Sequence, residues 1–155
     1  MSDRRVPVKA LREVFNIPEV NVAIFSFLLN FPWEIWQVPF FRGMDSMLHW
    51  KAIAMCTQAS IGDAVIAIAS FWGIAIVAQT RRWILRPTWR EIAGFVGFGV
   101  IITIVFESFA TRILDRWEYV ETMPILPVLG TGFLPLLQWI ILPPLVVWFV
   151  WRQLT

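Results

Sequence analysis

Charge is what this 155-residue sequence has least of: Asp, Glu, Lys and Arg make up only 15% of it. A soluble domain of this length carries about a quarter charged residues to cover a solvated surface. Cysteine and histidine are scarcer still, at one each, Cys56 and His49. A single cysteine excludes an internal disulfide and a multi-cysteine zinc site. A single histidine excludes a bis-histidine haem within one chain, and a Ser–His–acid triad would have to use His49. No P-loop, G-x-G-x-x-G, G-x-S-x-G or H-E-x-x-H pattern occurs. With a net charge of only +2, no nucleic-acid partner is indicated. No cleavable signal peptide is expected, because the basic N-terminal stretch runs into a long apolar segment without a small-residue cleavage site.

What is present is apolar. The chain is 58% hydrophobic with 10 tryptophans, and its mean hydropathy is +0.67. Tryptophan favours membrane interfaces, where the ring is buried and its N–H stays near water. Four stretches, about 20–41, 52–78, 92–111 and 131–151, approach the roughly 20 apolar residues that cross a bilayer as a helix. The expected fold is therefore all-α: one integral membrane domain over residues 1–155, a polytopic four-transmembrane-helix bundle.

Basic residues orient it. Arg4, Arg5, Lys9 and Arg12 precede the first span, Arg81, Arg82, Arg86 and Arg90 separate the second and third, and Arg152 follows the fourth. The positive-inside rule puts both termini in the cytoplasm of a bacterial inner (plasma) membrane. Trp83, Trp89 and Trp151 are expected to belt the inner face, and Trp50 and Trp117 the outer. Residues 8–15 alternate Leu11, Val14 and Phe15 with Lys9 and Arg12, which suits either an interfacial amphipathic helix or a polar tail.

Ionisable groups inside a span are costly and face the bundle or a wet cavity. Here they are Glu34, Asp63 and Glu107, with no Lys or Arg in the spans to neutralise them. Each helix carries a polar stripe: Asn30, Glu34 and Gln37 on the first, Cys56, Ser60 and Asp63 on the second, Gly99, Thr103 and Glu107 on the third, Thr131, Pro135 and Gln138 on the fourth. Their spacings of i, i+4 and i+7 or i+8 put each set on one helix face. At 1.5 Å rise per residue, Glu34 and Gln138 lie ~10 Å below the outer end of their spans, Glu107 ~6 Å and Asp63 ~17 Å. A single polar pocket opening outward explains this arrangement. The alternative is ordinary helix-to-helix hydrogen bonding, with Pro32, Pro39, Pro135, Pro143 and Pro144 as plain kinks.

Met44, Met47, His49, Met55 and Cys56 supply soft ligand types that suit Cu(I). Met and a lone buried Cys are more often packing groups, so no metal or other cofactor is assigned.

From Glu107 the chain continues through Arg116-Trp117-Glu118-Tyr119, Met123-Pro124 and Pro135-Leu136-Leu137-Gln138-Trp139. This acid near a span end, W-x-Y at the interface and proline-led final helix resemble membrane-embedded carotenoid-pathway proteins, the lycopene cyclase-like and carotenoid hydratase families. The resemblance covers about a third of the chain, and Gln138 stands where the cyclase-like group has paired acids. It implies that Glu107 is an acid or charge-stabilising carboxylate, with Trp117 and Tyr119 lining a pocket where an alkene is protonated and a carbocation stabilised. Independently of it, Glu34, Asp63, Trp33 and Trp36 offer acids and aromatic faces for the same purpose.

Three functions compete. The first is binding or chemistry on a lipophilic, isoprenoid- or lipid-like molecule, with Glu34, Asp63 and Glu107 as catalytic candidates and Asn30, Trp33, Gln37, Trp117, Tyr119 and Gln138 as binding candidates. The second is transport of a proton, cation or small solute, which four helices would perform as a homo-oligomer. The third is an accessory or assembly subunit of a larger membrane complex. In all three the lipid bilayer is a partner.

Overall fold

A computed structural model describes residues 13–127 and 130–155. Four long helices follow one another: α1 (Pro18–Gln37), α2 (His49–Val77), α3 (Trp89–Arg112) and α4 (Phe133–Leu154). Among the described residues there is no strand. The arrangement is a four-helix bundle in which each helix packs on its neighbour in sequence and α4 closes the ring on α1.

Each boundary has a local cause. Pro18 opens α1, where a missing N–H costs nothing. Thr88 and Glu91 form a reciprocal capping box at the start of α3, the Glu91 carboxylate accepting from the Thr88 N–H at 2.7 Å. Pro39 ends α1 in a single 3-10 turn, Val38–Phe40. Pro135 does not interrupt α4 as expected; it stands in the first turn, where no intrahelical bond is lost. Pro143 and Pro144 lie mid-helix, and α4 runs on through them to Leu154.

Helices α2, α3 and α4 are long and apolar enough to cross a membrane. Helix α1 has the length, 20 residues, but Glu19, Asn21, Asn30, Glu34 and Gln37 dilute its apolar character, so composition alone supports three crossings rather than the expected four. The dilution has a structural reason: Asn21, Ser26, Asn30 and Gln37 are all buried against the neighbouring helices. The outward faces are apolar instead, with Ile76, Val77, Ile101 and Val105 each more than 60% exposed.

The two ends of the bundle differ. At the end formed by residues 79–91 and residues 150–155, Phe71, Trp83, Ile84, Phe95, Val146, Val147 and Val150 make an apolar core. Trp83 is therefore not the interfacial anchor expected of it. A 3-10 turn, Trp83–Leu85, folds it back into the bundle, where its indole N–H donates to the Phe71 carbonyl at 3.3 Å. Trp50 and Trp89 are 65% and 75% exposed, as interfacial anchors would be. Residues 8–12 of the amphipathic stretch, with Arg4 and Arg5, lie outside the described residues; Val14 and Phe15 are exposed.

At the opposite end residues 117–120 lie across the end of α1. The Arg42 N–H donates to the Glu118 carbonyl and the Val120 N–H to the Phe40 carbonyl, so Phe41 and Tyr119 form an antiparallel bridge. This pairing carries Trp117 and Tyr119 onto the bundle.

Candidate functional site

The polar stripes of all four helices meet inside the bundle. Their centre is Gln138 on α4, whose side-chain amide nitrogen approaches the Asn30 carbonyl oxygen at 2.6 Å and the carboxyl oxygens of Glu34 and Asp63 at 3.1 Å each. One amide nitrogen has two hydrogens for these three acceptors, so at least one bond is shared. Asn30 is itself held by its amide, which donates to the carbonyl and hydroxyl of Ser26 one turn earlier. The Trp139 indole donates to the other Asp63 oxygen at 3.3 Å. Glu34 and Asp63 thus share Gln138 as a common partner.

Helix α3 contributes in two ways. Gly99 has no side chain because the Trp139 ring occupies that space; a Cβ there would collide with the ring. Its lack of bulk thus lets Trp139 reach Asp63. Two turns on, one carboxyl oxygen of Glu107 accepts from the Trp117 indole at 3.3 Å and from the Tyr119 hydroxyl. Glu107 is close enough to interact electrostatically with Glu34 and Asp63. Burial, followed by the Glu107 carboxyl, pushes the Tyr119 phenol above the usual tyrosine range.

Of the nine candidates, eight are brought into two adjoining groups. Asn30, Glu34, Gln37, Asp63 and Gln138 form the inner one, and Glu107, Trp117 and Tyr119 the outer one. Trp33 is the exception: its ring packs edge-on against Trp36, and its indole N–H is buried without a partner among the described residues. Gln37 Oε1 and the hydroxyls of Thr103 and Thr131 are likewise buried and unpartnered. Sequence reasoning missed Trp139 as a site residue. Its signal was present, a glycine in the α3 stripe facing a proline-led helix, but which ring fills a glycine notch depends on helix docking.

Space lies on either side of the two groups. Beneath Asn30 and Ser26, lined also by Trp139 and Pro143, is a cavity of about 10 Å³, the scale of one water. Ala67, Phe95 and Val146 of the apolar core close it from below. On the other side an open cleft of about 380 Å³ is lined by Arg42, Arg112, Trp117, Glu118, Tyr119 and Ile125, among others. Trp117 and Tyr119 separate this cleft from Glu107, which is only 9% exposed.

The soft-ligand residues do not converge: His49 and Met55 are exposed, whereas Cys56 is buried and its carbonyl accepts from Ser60. Among the described residues no three His, Cys, Asp or Glu side chains are grouped to hold a metal. Comparison with protein-family models, with curated proteins and with solved structures finds no match.

Proposed function

We propose that this chain is a four-span protein of the bacterial inner membrane, with both termini cytoplasmic, that binds and acts on a lipophilic, isoprenoid- or lipid-like molecule at the end carrying residues 112–130. The observation that carries this reading is the buried Glu107, bonded by Trp117 and Tyr119, behind an open 380 Å³ cleft. Clefts of a few hundred cubic ångströms with aromatic walls and a few convergent polar groups suit small molecules. A helix end at a membrane boundary selects molecules that partition into lipid.

The chemistry follows from the residues. Tyr119 joins the cleft to Glu107, so a proton held by this pair is available to a ligand in the cleft. The faces of Trp117 and Tyr119 stabilise a developing cation, in keeping with the alkene protonation that the carotenoid-pathway resemblance implies. Glu34 and Asp63 serve differently in this reading. Tied to Gln138 and Trp139, they hold the helices that carry the pair and tune its field. Transport is disfavoured because the inner group ends on a core of buried apolar side chains.

The test is lipid extraction and mass spectrometry of the detergent-purified protein, wild type beside Glu107→Gln, Tyr119→Phe and Asp63→Asn. The wild type should retain a lipophile in near-stoichiometric amount that Glu107→Gln and Tyr119→Phe lose or leave unconverted. Retention of bulk phospholipid alone, identical in all four proteins, would sink the reading.

A further inference from the structure

The cleft has a second chemical character that proton transfer does not use. Arg112, the last residue of α3, lies on its wall with its guanidinium against Gly130. Gly130 has φ +65°, and a Cβ there would collide with the guanidinium. Glycine is favoured there by the backbone conformation, and its bare Cα leaves the guanidinium room to lie against it. Among the described residues Arg112 makes no ion pair with a carboxylate. Arg42, on the same wall, is paired with Glu118 at 2.9 Å, but both side chains are about two-thirds exposed, and such a pair is worth little. The cleft therefore offers two guanidinium groups against one weakly engaged carboxylate.

An apolar path leads away from it. Trp117 contacts Phe106 at a ring separation of 6.2 Å. Phe106, Phe109 and Ile113 follow at i, i+3 and i+7 on one face of α3, and are 51%, 46% and 66% exposed. Cationic head site and apolar strip are joined at one helix end.

We propose that the cleft is a headgroup site for an anionic amphiphile, a phosphate-type head held by Arg112 with help from Arg42 and a long apolar tail lying along Phe106, Phe109 and Ile113. Guanidinium groups match phosphate oxygens in a bidentate fork. This rests on the lipophile reading and narrows its substrate class, since a neutral hydrocarbon would have no use for the arginines.

Native mass spectrometry of the micelle-solubilised protein, titrated with phosphatidic acid or with phosphatidylcholine of equal chain length, tests it. Phosphatidic acid should bind more tightly, and Arg112→Gln should weaken it about tenfold, as expected for one lost charge-assisted bond. Arg112→Lys should recover part of the loss. Arg116→Gln, exposed and outside the cleft lining, controls for general surface charge. Equal affinity for the two lipids, or equal losses in Arg112→Gln and Arg116→Gln, would overturn the proposal. Displacement of the lipid by inorganic phosphate alone would overturn the tail. A co-purified lipophile that depends on Glu107 but not on Arg112 would refute the headgroup site and leave the proposed function standing.

Discussion

At the scale of single residues, Gln138 and Tyr119 carry the most consequence. Gln138 is the shared donor for Asn30, Glu34 and Asp63. Replacing it by Leu keeps the bulk and removes the donor, leaving acceptors unsatisfied; the expected loss is about 1–3 kcal/mol. Reversible unfolding in mixed micelles reads this, and a Gln138→Leu protein as stable as wild type would show the tie to be idle. Tyr119 is the one tyrosine of the chain, so tyrosinate absorbance reports on it alone. Its ionisation is raised by burial and then by Glu107. An unfolded tyrosine ionises near 10, so the stability this group contributes is complete below about pH 10 and declines above it, through its folded value. The folded protein should show no tyrosinate near pH 10 where the denatured chain does. In Glu107→Gln the titration should move down, and an unmoved curve would separate Tyr119 from Glu107 electrostatically.

At the scale of helices, the glycines of α3 have unequal roles according to the face they stand on. A Cβ on Gly99 would enter the Trp139 ring, whereas one on Gly97 meets nothing. Gly99→Ala should therefore cost about 1–3 kcal/mol through overpacking, and Gly97→Ala should stay within about 0.5 kcal/mol. Equal effects in an unfolding titration would contradict the docking of α4 on α3. Helix identity and position were legible in sequence: the expected apolar stretches overlap α1 to α4, because apolar length is a local property. The stripes were legible too, being a consequence of helical periodicity. Their partners were not. Trp83 carried the marks of an interfacial anchor and became core, because the turn that folds it inward is set by packing against Phe71 and Phe95.

At the scale of the molecule, α1 is the element that decides topology. Its polar residues are turned toward α2 and α4, which suits a span that lipid touches on one side only, through Leu28, Ile35 and Trp36, all exposed. In a Cys56→Ser background, single cysteines at Asn16, Asp45 and Thr80 test this with a membrane-impermeant thiol reagent on spheroplasts. Asp45→Cys should label from outside, and Asn16→Cys and Thr80→Cys only after lysis. Labelling of Asn16→Cys and Asp45→Cys from the same side would mean that α1 does not cross.

The sequence by itself determined that the chain is helical, apolar on its outer faces and supplied with three acids and no internal base, since composition and periodicity are properties of the chain read along its length. Convergence of those acids, the division into an inner group tied by Gln138 and an outer one bonded by Trp117 and Tyr119, and the cleft beside Arg112 were decided by tertiary structure alone. Helix faces meet only when side chains interlock, and the notch that seats Trp139 on Gly99 has no signature until both helices are in place. The scarcity of charge thus acquires a location: the few charged groups the spans retain lie where the four helices touch, beneath a cleft at one end.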